Sequence, residues 1–303
     1  MRKMRRDRHN AKFAAVVTLT ISALIAATAP GHAACGPDAG EVDVGCYNND
    51  LPAALAVALS SDQPLLLSSG TYTLKKTLVI DYASRAGSGF RLISRGARID
   101  GTAIRKGPVL AIVCSGGATA NPKDCFYFHE EGSLFVNADT PDYAVRFGFD
   151  DFSDAHNSAK IDHLIINNRN QAASASGMRL NYVLNSELFV VADSAGGGAG
   201  LELDQVQFSK ISGAASAAAG TAMLIRGGYT MSNTIQAIDL EVAKQCLAIT
   251  SAFANHNTFV SPYFTCPIAV AAVAGASNLL LNPLYAGTTA PTPGSQTGII
   301  SLP

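Results

Sequence analysis

The stretch from Ser186 to Asn282 decides the fold, because segments of one kind return in it at nearly constant intervals. They are Ser186-Glu187-Leu188, Ser209-Lys210-Ile211, Asn233-Thr234-Ile235, Asn257-Thr258-Phe259 and Asn278-Leu279-Leu280. With Leu164 as an earlier member, the apolar anchors Leu164, Leu188, Ile211, Ile235, Phe259 and Leu280 are 24, 23, 24, 24 and 21 residues apart. Two positions before each stands a small polar residue: Asp162, Ser186, Ser209, Asn233, Asn257 and Asn278. A second series, Met178, Leu201, Met223, Leu247 and Ile268, keeps step at 23, 22, 24 and 21. Two positions after these come Leu180, Leu203, Ile225, Ile249 and Val270. Apolar residues two apart describe a strand with one side buried.

Two such strands per repeat, cut by Gly, Ser and Asn turns, define a coil of roughly 22 to 24 residues. Leucine-rich repeats share the period but need a fixed Leu and Asn pattern that is missing here, and a propeller blade needs about 40 residues. The expected fold is all-β, a parallel β-helix in which each coil buries its inward residues only by stacking on the next. The small polar column is then expected as a side-chain ladder at a turn. Cys246 and Cys266 fall at nearly equivalent points of successive coils. Neighbouring strands lie ~4.8 Å apart, so a disulfide from rung to rung is geometrically natural.

Upstream, Asp50-Leu51-Pro52 opens a helical pattern with Leu51, Leu55 and Leu59 at spacing four, Asp50 serving as N-cap and Pro52 as a tolerated first-turn residue. A short capping helix is expected within residues 47–63, coils over 64–285, and a Thr-, Pro- and Gly-rich tail over 286–303 lying along the last coil. The insert from Val113 to Gly132 reads as a loop stapled by Cys114 and Cys125.

The order of capping helix, strand, Gly70-Thr71-Tyr72 and an Ile99-Asp100-Gly101-Thr102 turn resembles the pectate-lyase-like superfamily of right-handed parallel β-helices. The resemblance covers roughly residues 47–285. It implies a right-handed solenoid and an activity on polysaccharides, in a superfamily that holds lyases, glycoside hydrolases, epimerases, esterases and phage tailspikes. Of the motifs of its polygalacturonase-like hydrolases, only Asp150-Asp151 has a counterpart here. Ile161-Asp162-His163 is similar to part of a Trp-Ile-Asp-His segment of one pectate lyase group, without its Arg-containing partner motif.

The chain has 303 residues, is 48% hydrophobic and 15% charged, and carries a formal net charge of −1. That balance excludes a disordered chain and a nucleic-acid binder, which needs a basic stripe. Residues 1–33 run from a basic segment through an apolar one to small residues, the layout of a secretory signal peptide. They hold six of the 22 basic residues and one of the 23 acids, so the remaining domain, 34–303, is acidic with a net charge of −6. Six cysteines, all beyond residue 33 and none in a CxxC pair, fit an oxidising compartment. The simplest pairing is Cys35–Cys46, Cys114–Cys125 and Cys246–Cys266. A secreted or periplasmic protein with no membrane association after signal removal is expected.

Strand register locates the candidate chemistry. If Val145 and Phe147 are an inward pair, one outward column reads Arg146, Arg179, Glu202, Leu224, and the next reads Gly148, Asn181, Asp204, Arg226. Carboxylates two apart on a strand lie ~6.5–7 Å apart at the backbone, within reach of the ~6.5–9.5 Å of an inverting glycosidase. Lyase chemistry fits equally, with arginines neutralising a uronic acid carboxylate bidentately. Glu202, Asp204, Asp150 and Asp151 are the catalytic candidates, and Arg146, Arg179, Arg226 and His156 the substrate-binding ones. The structural alternative is a salt-bridge ladder without function. A rival cluster, Phe149 to Asn157, holds Asp150, Asp151, Asp154 and His156 in an expected loop, as an acid/base pair or, without EF-hand spacing, an oxygen-rich Ca²⁺ site. The line His163, Glu187, Lys210, Thr234, Thr258 reads as structural charge pairing, and Gly196-Gly197-Gly198 as a coil turn. No Gly-x-Ser-x-Gly, phosphate loop or cofactor motif is present. The expected role is cleavage of a polysaccharide. The alternative is a non-catalytic carbohydrate-binding or surface β-helix, of which a tailspike-like homotrimer is one form.

Overall fold

Stacking strands coil upon coil requires a corner where the backbone can turn sharply without stranding a buried N–H, and the sequence supplies one per coil. In the computed structural model, which describes residues 40–273, 277–287 and 299–302, Tyr127, Ser158, Asn185, Phe208, Ser232 and His256 each adopt a left-handed φ between +49° and +60°. Each is hydrogen-bonded from its N–H to the coil that follows, as from Ser158 to Leu184 O and from Asn185 to Gln207 O. From Ser158 onward the next residue points inward and builds the expected ladder. The Ser186 hydroxyl accepts from Ala159 N, Ser209 from Ser186 N, Asn233 from Ser209 N, Asn257 from Asn233 N and Asn278 from Asn257 N.

From that corner the chain enters a first series of strands, including Phe90–Gly101, Phe128–Ala138, Lys160–Asn168 and Glu187–Ser194. It then turns into a second, with Tyr143–Phe147, Ser176–Asn181 and Ala199–Asp204. In Lys210–Arg226 and Thr234–Ile249 one strand runs through both, so the two series form a single 20-stranded sheet. A narrow third side, Lys123–Phe126, Asp154–Asn157 and Val183–Leu184, closes three successive coils. Strand pairing is parallel throughout these stacks. The protein is a parallel β-helix. Its interior is filled by rows such as Val145, Met178, Leu201, Met223 and Leu247, all buried.

The glycine run behaves as a turn. Gly197 and Gly198 donate to Ala172 O and Ala175 O of the neighbouring coil, and a Cβ on Gly220 would meet Gly198 O at 1.9 Å. At the N-terminal end, the helix Leu51–Ser61 has Asp50 as N-cap, accepting from Ala53 N, and buries Leu51, Ala54, Leu55 and Ala58. Cys114–Cys125 and Cys246–Cys266 are bridged, with Cα atoms 6.1 and 5.3 Å apart. Cys35, the expected signal segment 1–33 and most of the tail lie outside the described residues, but Ile299–Leu302 adds a further rung on Asn278–Leu281.

Two expectations about register are corrected. Ile161, not Leu164, pairs with Leu188, and Leu164 pairs with Val190 after a bulge. Asp162 therefore leaves the ladder, where Ala159 stands instead, and sits in the bulge against Lys160 at 2.8 Å. Likewise Lys160, not His163, begins the outward line with Glu187 and Lys210. Near the C-terminus Val270, not Ile268, pairs with Leu247, and Ile268 is exposed. Both slips arise where the coil length departs from the period, which a count of residues cannot place.

The ladder makes a direct prediction. Asn257 accepts from Asn233 N and Nδ2 and donates to Thr230 O and Asn278 Oδ1. Asn257→Ala strands buried donors and acceptors on three coils and is expected to cost about 3 kcal/mol in denaturant unfolding.

Candidate functional site

The outward columns of the second strand series come together as the register requires: Arg146 pairs with Arg179, Arg179 with Glu202, and Asn181 with Asp204 and Arg226 beyond it. Arg179 is the hub. Its guanidinium lies 3.0 Å from Asp150 Oδ1, 3.1 Å from Glu202 Oε1 and 2.7 Å from Asp204 Oδ2. Arg226 Nε stands 2.6 Å from Glu202 Oε1 and 3.3 Å from Asp204 Oδ2. Arg146 holds the other oxygen of Asp150 at 2.9 Å, and Asn181 donates to Asp150. Glu202 Oε1 is thus wedged between two guanidiniums in ion contact, without the alignment of a hydrogen bond.

Tyr143 was not legible as a member of this site. Its hydroxyl reaches across two rungs to donate to Glu202 Oε2 at 2.9 Å, while the Arg179 guanidinium lies over its ring at 5.6 Å. Tyr143 stands two residues before the inward Val145, so a two-residue count places it inside, and only the three-dimensional arrangement singles it out. Burial raises the Glu202 pKa, although Arg226 and Arg179 pull it down. Burial and then the Glu202 charge push the Tyr143 hydroxyl up to about 12. For Arg179, burial works against the charge, but the bond to Asp204 and the neighbouring Glu202 outweigh it and the pKa is raised.

Three arginines face three carboxylates, so the cluster is neutral as a unit. Glu202 and Asp204 are only 3% and 4% exposed, whereas Asp150 and Arg226 reach solvent with side chains 53% and 39% exposed. The accessible edge is therefore Asp150, Arg146 and Arg226, above a buried pair of carboxylates.

Two candidates fall elsewhere. Asp151 is bonded in its own turn by the Ser153 hydroxyl and by Ser153 N, which lower its pKa, and is hydrogen-bonded to none of the arginines among the described residues. His156 is not a surface ligand: it is wholly buried, bonded to Tyr82 Oη at 2.6 Å and to Asp154 Oδ2 at 2.9 Å. The expected loop is half strand, because Asp154–Asn157 pairs with Lys123–Phe126 and Val183–Leu184 and carries His156 inward beside Cys125. Asp154 also accepts from Cys114 N and Phe149 N, so this triad anchors the disulfide insert. No His, Cys, Asp and Glu group suited to a metal occurs among the described residues, so Ca²⁺ finds no support at Asp150, Asp151 and Asp154.

A second buried carboxyl, Glu130, carries no sequence signal. Glu130 accepts from Asp162 N and His163 N, closing the bulge, and its Oε1 has no hydrogen-bond partner. Burial raises its pKa to about 7.

No protein-family model matches this chain, and no curated protein matches it. Among solved structures it is similar to one described as the crystal structure of Agl-KA catalytic domain, at 11% identity, covering 86% of this chain and 68% of that one, with a TM-score of 0.27. So low a score carries no argument about chemistry. The class is set by the fold itself, a disulfide-bonded parallel β-helix. Among the described residues no helix is long and apolar enough to cross a membrane.

Two outcomes follow from these geometries. Arg179→Ala leaves Glu202 and Asp204 buried without their main partner and is expected to cost about 3–5 kcal/mol; Arg179→Lys restores little, because an ammonium cannot bridge three carboxylates as the fork does. Glu130, with a folded pKa above its unfolded value, contributes stability that is fully present below about pH 4.5 and lost as pH rises towards 7. Unfolding curves across that window should show a fall, on the order of 3 kcal/mol, that Glu130→Gln removes.

Proposed function

We propose that this is an exported carbohydrate-active β-helix that engages a polysaccharide along the face of Arg146, Arg179 and Arg226 and cleaves it there by lyase or glycoside hydrolase chemistry. The observation that carries the reading is Glu202, a carboxyl sunk between coils, its pKa raised by burial, bonded by Tyr143 and flanked by two guanidiniums. A raised carboxyl pKa is the direction that proton donation to a leaving oxygen requires. Asp150, across Arg179 and open to solvent, is the available base. Towards a uronic acid polymer, the open edges of Arg226 and Arg146 offer charge-assisted contacts to the sugar carboxylate, which acidify the proton beside it. The bridges Cys114–Cys125 and Cys246–Cys266 suit an oxidising compartment.

A second reading, retention of the polymer without cleavage, is favoured by the depth of Glu202 and Asp204 and by their pairing with arginines. Incubation with acidic and neutral polysaccharides separates the two. Cleavage releases reducing ends, and a lyase also releases unsaturated products absorbing in the ultraviolet. Under the cleavage reading Glu202→Gln and the solvent-facing Asp150→Asn each lower the rate about 100-fold or more, with polymer binding kept. Binding without any product, across the whole panel, establishes the retention reading instead.

A further inference from the structure

The corner that carries the polar ladder also carries a groove. A hollow of about 590 Å³ runs along it over four coils, between the left-handed residues Ser158, Asn185, Phe208 and Ser232 and the strand-opening Lys160 and Lys210. A left-handed conformation costs an ordinary side chain roughly 1–2 kcal/mol, and short polar residues such as Asn relieve it by local hydrogen bonding. Phe208 has no such return. It is 58% exposed at φ +51°. Tyr127, three rungs earlier in the same column, repeats the exception at 57% exposure and φ +60°. His256, exposed at φ +55°, stands two rungs later. With ~4.8 Å per rung, Tyr127 and Phe208 are ~14 Å apart along the axis and Phe208 and His256 ~10 Å apart. Rings placed at strained, water-exposed positions in one column are an outlier from which function can be inferred.

We propose that this corner is a binding site for an extended neutral polysaccharide, whose sugar rings stack on Phe208 and Tyr127 and whose chain lies along the groove. Three features select that occupant. The rise of one coil is close to the rise of one residue along an extended pyranose chain, so a repeating ligand meets the repeating surface in step. The apolar faces of sugar rings match exposed aromatic faces, while the hydroxyls at their rims reach Ser158, Asn185 and Ser232. The cations of the groove are already neutralised, since Lys210 Nζ lies 3.1 Å from Glu187 and Lys160 Nζ 2.8 Å from Asp162. The groove thus offers no surplus charge to a uronate. It is separated from the Arg179 face by the third side of the coil, on which Val183–Leu184 forms the strand, and the inference does not rest on cleavage at that face.

Isothermal titration of the purified protein with long cello-, manno- and malto-oligosaccharides, and with oligogalacturonate as the acidic counterpart, tests the assignment. At least one neutral oligosaccharide should bind, with an affinity unmoved by an about tenfold rise in salt. Phe208→Asn and Tyr127→Asn should each weaken it about tenfold, the loss of one stacking platform. Because Asn favours the left-handed conformation, the Phe208→Asn melting temperature should equal or exceed the parent value, which separates lost binding from lost fold. Glu202→Gln should bind as the parent does, so failure of the cleavage reading leaves this result standing. The proposal is overturned if no neutral oligosaccharide binds, if Phe208→Asn binds as tightly as the parent, or if only oligogalacturonate binds and salt abolishes it.

Discussion

At the corner of each coil a backbone N–H is carried into the interior, where water cannot reach it, and the side chain of the next coil accepts its proton. Ala159, Ser186, Ser209, Asn233 and Asn257 each lend this N–H to the residue above. An unpartnered buried amide costs on the order of 1–3 kcal/mol, so the ladder is what permits so sharp a turn. It also fixes register: a coil slipped by one residue would point its polar rung outward and strand several amides at once. The inward rows of Leu, Ile, Met and Phe, and the outward columns that build the arginine cluster, inherit their alignment from it.

The arginine cluster is a consequence of that alignment. Residues far apart in sequence, Arg179, Glu202 and Arg226, meet because each stands at an outward position of a neighbouring rung, and Tyr143 reaches Glu202 from two rungs away. Arg179 serves three carboxylates because its planar fork has five donors in fixed directions. Removal of charges from water is costly, and the network offsets that cost only while it is complete. The cluster is paired internally and keeps an open edge at Asp150, Arg146 and Arg226. The groove at the opposite end of the narrow side differs in character: it presents the exposed Phe208 ring beside lysines that are already paired.

The repeat made the solenoid legible, together with the capping helix at Leu51, the Cys246–Cys266 bridge and the columns of Arg146, Arg179, Glu202, Asp204 and Arg226. It failed where local structure breaks the period. The bulge after Ile161 removed Asp162 from the ladder, and the pairing of Asp154–Asn157 as a strand buried His156. A dense run of Asp and His reads as a solvated loop because charge normally avoids the interior. Here Tyr82, Cys114 N and Phe149 N satisfy it, and those partners lie up to 74 residues away in sequence.

What the sequence determined by itself is periodic: the parallel coil, the polar ladder and which side chains face outward, because a two-residue alternation within a repeat of about 23 leaves little freedom. Tertiary structure alone decided depth and partnership. It showed that Glu202 and Asp204 are buried beneath Arg179, that Tyr143 joins them, that Asp151 and His156 do not, and that Phe208 and Tyr127 share one exposed column. Burial and left-handed strain are properties of how coils stack, and no residue's own identity encodes them.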